Sequence, residues 1–129
     1  MSLVARRVVA THRESPCAAV VLDSEGGFLS GLAAMPGSDL DDLAALVAED
    51  PRWLGEQVRI LYIEARPRPR ASLADLARWH DLVVRHAERG HAVVDWVLVD
   101  RRSGRVCSMA RRFGGVDRSV APRGSRAPG

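Results

Sequence analysis

Two nearly continuous apolar runs constrain this chain more than any other feature: Val58 to Ile63 (VRILYI) and Ala92 to Val99 (AVVDWVLV). Neither shows the polar alternation of a strand with one wet face, so each reads as a central strand covered on both sides. Between them, Ser72 and Asp75 form a capping-box-like S-x-x-D. Leu73, Leu76, His80, Val83, Val84 and Ala87 then recur at helical spacing, and Gly90 stands where a helix C-cap belongs. A strand, a crossover helix and a second buried strand are the expected centre of the fold.

The flanks extend this pattern. Leu3 to Thr11 and Cys17 to Leu22 are short β-branched apolar runs, and the second meets Asp23-Ser24-Glu25-Gly26-Gly27 before Phe28-Leu29 resumes, which predicts a hairpin. Ser38 opens a second helical pattern carrying Leu40, Leu43, Leu46 and Val47, closed by Pro51. Beyond Val99, Asp100 to Gly104 reads as a turn and Arg105 to Ala110 as a returning edge strand. The order hairpin, helix, strand, helix, strand, strand predicts an α/β fold of layered α+β type, with a small mixed, partly antiparallel sheet flanked by two main helices.

At 129 residues and 47% apolar, the chain suits one domain over 1–113. The remaining 114–129, rich in Gly, Pro, Ser and Arg without apolar anchors, is expected to be a disordered basic tail. No apolar stretch has signal-peptide or membrane-span length, so the expected location is cytoplasmic, with no membrane partner. Cys17 and Cys107 each sit inside an apolar run and read as buried free thiols. Every basic side chain is arginine; the net charge is +3, but the arginines are interleaved with acids over most of the chain, a weak nucleic-acid signal.

Several residues stand at the spacing of a known domain: Val21-Leu22-Asp23-Ser24 with Gly27-Phe28-Leu29, then Ser72 and Asp75, Gly90, Val94-Asp95-Trp96 and Ser108. Over roughly Pro16 to Arg112 the chain resembles the MPN (JAB-type) domain of the RadC family, a DNA-repair family, which implies an MPN and cytidine-deaminase-like layering. In catalytic members of that family two histidines and an aspartate hold zinc, and a glutamate before the first hairpin activates the metal-bound water. Asp75 stands at the aspartate position and Glu14 near the glutamate, slightly out of register. Where the histidines belong, this chain reads Ile63-Glu64-Ala65-Arg66-Pro67. Arginine cannot ligate a cation and repels one. The resemblance therefore implies a pseudoenzyme with no catalytic residues beyond the candidates Glu14 and Asp75, no metal and no cofactor. Its function would be a binding or scaffold module for protein or nucleic acid, with a homodimer among the conceivable assemblies. The alternative is a divergent metal-dependent hydrolase acting on DNA or an isopeptide bond.

Other constellations offer less. His80 lies on the supposed apolar helix face and reads as a core or boundary histidine, and His91 as exposed. Asp75, Trp79, Leu82 and His86 share a different stripe of that helix, but Asp75 and His86 are separated by roughly 16 Å at the standard helical rise, too far to share an ion. Ser72 is better explained as an N-cap than as a nucleophile, and Ser108 lacks a G-x-S-x-G context. No P-loop or G-x-G-x-x-G is present. Arg66, Arg68 and Arg70, separated by prolines in the segment EARPRPR, are the candidate binding residues: a stiff loop of guanidinium groups loses little entropy on meeting phosphate or carboxylate. The bland reading is a solvated connection. Trp53, Trp79 and the edge strand at Arg105 to Ala110 are compatible with self-association or with ordinary packing.

Overall fold

The computed structural model describes residues 17–35, 37–67 and 71–114. It is a mixed α/β fold. β1 (Cys17–Leu22) and β2 (Phe28–Ala33) form an antiparallel hairpin, followed by α1 (Leu40–Ala48) and a 3₁₀ turn at Pro51–Trp53. β3 (Arg59–Arg66), α2 (Leu73–Ala87) and β4 (Ala92–Asp100) make a parallel crossover unit, and β5 (Val106–Ser108) returns antiparallel to β4 before the short α3 (Met109–Phe113). The sheet order is β2-β1-β3-β4-β5, with β3 antiparallel to β1. The run Leu3 to Thr11, Glu14, Arg68, Arg70 and residues 115–129 lie outside the described residues. Among the described residues no helix is long and apolar enough to cross a membrane.

Local chemistry sets the turns and helix starts. Asp23 Oδ1 accepts from the backbone N–H of Glu25 (2.9 Å) and Gly27 (2.7 Å), and Gly26 takes the positive φ of 92° that this tight turn requires. Helix α1 starts one residue later than Ser38 suggests. Asp39 and Asp42 satisfy each other's backbone N–H in a reciprocal capping box, which a carboxylate beside the positive helix terminus favours. Ser72 and Asp75 form the same box at α2.

The two apolar runs are buried on both faces, as their continuity predicts. Ile60, Tyr62, Trp96 and Leu98 point to one side and join Cys17, Ala19 and Val21 of β1 in the larger core. Leu61, Ile63, Val97 and Val99 point to the other and join Val20. Among the described residues, all three helices contribute to the first cluster and none to the second.

Two expectations are overturned. The face of α2 built on Leu73, Leu76, His80, Val83, Val84 and Ala87 is exposed at every position except Val83, with Leu73 84% exposed. The buried face is Asp75, Trp79, Leu82, Val83 and His86, an equally regular helical stripe. Its aliphatic content is lower than that of the exposed face, because two of its members, Asp75 and His86, are polar groups that find partners indoors. The second correction concerns the edge strand expected through Ala110. It stops at Ser108, whose hydroxyl accepts from Arg111 N–H (3.1 Å) and caps α3. Truncating Trp79 to Ala is expected to cost about 3–5 kcal/mol in urea unfolding, whereas Leu73→Ala stays within about 0.5 kcal/mol. Equal losses would mean the helix is turned the other way.

Candidate functional site

β3 runs farther than the apolar run suggests and carries Glu64 and Arg66 past Ile63 to the end of the sheet, beside the first turn of α2. There Arg66 donates through Nη1 to Asp75 Oδ2 and through Nη2 to Asp75 Oδ1, both at 3.0 Å, a bidentate pair. The same Nη2 reaches Glu64 Oε1 at 3.2 Å, and the guanidinium carbon lies 5.7 Å from the Trp96 ring centroid. Trp96 Nε1–H donates to that Glu64 oxygen at 3.2 Å. Asp75 also accepts at Oδ2 from Ser72 N–H and Ser72 Oγ–H, each at 3.0 Å.

Electrostatics follow the geometry. The hydrogen bonds from Arg66 hold the Asp75 carboxyl below the usual carboxylate range despite its burial, with the Ser72 donors adding to the effect. Reciprocally, the Arg66 guanidinium is made harder to deprotonate, first by Asp75 and then by Glu64. Cys17, opposite Glu64 across the β1–β3 pairing, has its thiol pushed up to about 12, first by burial and then by the Glu64 charge, so it is an inert neutral thiol.

This cluster places Asp75 and Arg66 together at the strand end where the resemblance sets a zinc ion. Its donor set does not fit a metal. Both oxygens of Asp75 are already taken by a fixed cation and by the cap, and Glu64 faces the same guanidinium. Among the described residues no three His, Cys, Asp or Glu side chains are grouped to hold an ion. Arg66, a binding candidate by sequence, is thus engaged in an internal ion pair; its partners in that reading, Arg68 and Arg70, and the candidate Glu14 lie outside the described residues.

Asp95, where the resemblance sets a strand-start aspartate, is 7% exposed and also occupied internally. It accepts from Trp96 N–H (2.7 Å), Ala110 N–H (2.9 Å) and the Ser108 hydroxyl. The extra residue Val94 in the β3–β4 register creates the bulge that turns this carboxylate toward the β5–α3 junction. Ser108 is therefore a bracing residue rather than a nucleophile.

A second polar cluster was missed by sequence reasoning. His91 is buried, not exposed, and its Nε2–H donates to the Trp53 carbonyl at 2.9 Å. Tyr62 Oη and His86 Nε2 lie 2.7 Å apart, with the His86 ring stacked between those of Tyr62 and His91. Donation from Tyr62 to His86 leaves only the Nδ1–H of His86 without a protein partner, whereas the reverse orphans two groups, so the first arrangement is favoured. The stripe spacing from Asp75 to His86 was the available signal for this burial.

Burial, followed by the charges of His91, Arg85 and Arg89, pushes His86 down to about 4. A group whose folded pKa lies below its unfolded value near 6.5 stabilises fully above that value and loses its contribution as pH falls toward 4. The expected loss between pH 7 and pH 4 is about 3 kcal/mol. Urea unfolding across that window checks it, and a Tyr62→Phe/His86→Phe variant should flatten this part of the slope. In the first cluster, Asp75→Ala removes the bidentate partner of Arg66, leaving it only Glu64, and is expected to destabilise by about 2–3 kcal/mol, with much of the loss recovered in Arg66→Met/Asp75→Leu. A neutral Asp75→Ala would show that the ion pair does not form.

No protein-family model matches this chain, and no curated protein or solved structure matches it either.

Proposed function

We propose that this chain is a non-catalytic, RadC-like MPN-type domain that acts as a binding or scaffold module. The observation that carries this reading is the bidentate Arg66–Asp75 pair: at the position where the resemblance sets a metal-binding aspartate, both carboxylate oxygens face an arginine of the same chain. A guanidinium satisfies the charge that a cation would otherwise supply, but it cannot polarise a substrate oxygen as a Lewis acid or deliver an activated water. The site then serves stability, tying the end of β3 to the start of α2.

Protein is the favoured class of partner. Arg66 is neutralised by two acids and so contributes little to an electrostatic footprint for nucleic acid. The described surface instead offers large apolar side chains on several elements, among them Leu73 on α2, Leu46 on α1 and Phe28 on β2.

Untagged protein purified without chelator is expected to carry no stoichiometric zinc or other transition metal by elemental analysis, and to take up none on titration. Stoichiometric metal in the wild type that is lost in Asp75→Ala, with the variant still folded, would overturn the proposal and favour the divergent hydrolase. Salt-sensitive binding to duplex DNA that weakens on neutralising Arg66, Arg68 and Arg70 would instead move the partner from protein to nucleic acid.

A further inference from the structure

Over most of the chain arginine is interleaved with acids, but from Arg101 to Phe113 there are five arginines and no acid. All five, Arg101, Arg102, Arg105, Arg111 and Arg112, are exposed. Among the described residues the ion pairs use Arg52, Arg66 and Arg89 and none of these five. Asp100, the acid at the foot of the turn, spends Oδ1 on the backbone N–H of Arg102 at 2.8 Å, and Asp95 is buried against Ser108 and Ala110.

The fold sorts these charges into two groups. Asp100 N–H donates to the Arg105 carbonyl at 2.9 Å, closing a turn that holds Arg101, Arg102 and Arg105 at one end of β5. Ser108 starts α3 at the other end, where Met109 is buried while Arg111 and Arg112 face solvent. The length of β5 separates the groups by roughly 10 Å at the usual strand rise. Between them lie Val106, Cys107 and Ser108, uncharged and half-buried. Protection of a sheet edge does not account for this much charge, because a strand of three residues already offers little backbone for another chain to pair with.

We propose that the two arginine groups form a docking surface for an acidic segment of a partner protein, one with two carboxylate-rich blocks separated by a few apolar residues. This names the partner chemistry of the binding module proposed above and rests on that reading. Guanidinium forks match carboxylates bidentately, and five of them without internal partners hold a positive potential that steers such a segment to the surface. The uncharged middle favours peptide over nucleic acid. A phosphate backbone carries its charge evenly and would leave the part of its span over Val106 and Cys107 unanswered, whereas an acidic segment with an apolar centre answers both groups and covers the strand between them. Phe113, the aromatic residue of this stretch, is half-buried, and α3 has five residues, so neither a stacking platform nor a groove-reading helix is present here.

Fluorescence anisotropy of a labelled peptide, Glu-Asp-Asp-Ile-Val-Asp-Asp-Glu, titrated with the full chain tests this. The expected Kd is on the order of 100 µM at about 50 mM salt, weakening several-fold at about 200 mM. Neutralising either group, in Arg101→Gln/Arg102→Gln/Arg105→Gln or in Arg111→Gln/Arg112→Gln, should weaken binding at least about fivefold. Arg59→Gln/Arg78→Gln, which removes two exposed charges on β3 and α2, should change it less than about twofold, with circular dichroism to verify that all three variants are folded. No binding by the wild type, or equal weakening in the Arg59→Gln/Arg78→Gln control, would overturn the proposal. So would tighter binding of a short DNA duplex at the higher salt that is lost in the same arginine variants. The peptide needs no metal, so its failure to bind metal-free protein overturns this docking surface alone, whereas stoichiometric zinc overturns the non-catalytic reading whichever probe binds.

Discussion

The buried stripe of α2 is the constraint around which the rest of the molecule is arranged. Asp75, Trp79, Leu82, Val83 and His86 face the sheet, and three of these five carry polar groups that low-dielectric surroundings leave no room to waste. Each group is answered from a different part of the chain. Asp75 takes Arg66 from the end of β3, His86 takes Tyr62 from its middle, and Trp79 Nε1–H donates to the carbonyl of Gly114 after α3 at 3.0 Å. These contacts fix α2 along its length against β3 and against the return after β5. A helix held only by aliphatic side chains would tolerate rotation or sliding by a residue; one held by directional bonds at three heights does not.

That arrangement also decides the chemistry of the strand end. Carboxylates at the mouth of a sheet, beside a helix N-terminus, are the raw material of a cation site. Here an arginine grown from the neighbouring strand reaches both. Its charge is permanent and its bonds to Asp75 are bidentate, so that carboxylate is held ionised without any ion from solution. Ser72 completes the cap, and Trp96 braces Glu64 from behind. The same logic governs Asp95, whose donors come from Trp96, Ala110 and Ser108. Acids that are satisfied from within hold elements together and are poorly placed to bind or activate a substrate.

Among the described residues, the exposed surface includes several large apolar side chains. The exposed stripe of α2 begins at Leu73, and β2 presents an uncharged edge at the far side of the sheet from β5. The proposed binding role would draw on these features.

The sequence by itself determined the elements and much of their order. Short continuous apolar runs rich in β-branched residues read as strands covered on both sides, the S-x-x-D before a helical period caps a helix, and Asp-Ser-Glu-Gly-Gly makes a turn, because each depends on neighbours close in the chain. Gly90, at φ 80°, ends α2 at the expected place for the same local reason. Tertiary structure decided which face of α2 is buried, because Asp75, Trp79 and His86 qualify as core only once Arg66, Gly114 and Tyr62 are brought to them from distant positions. It decided the fate of Arg66 likewise: read alone, EARPRPR is a basic loop, but the extension of β3 through Arg66 sets that guanidinium against Asp75. It turned His91 inward onto the Trp53 carbonyl, and it ended the last strand at Ser108, where the pull of Asp95 and the α3 cap outweighed β propensity. A polar side chain's place depends on the partner it meets, and that partner is named only when the chain has folded.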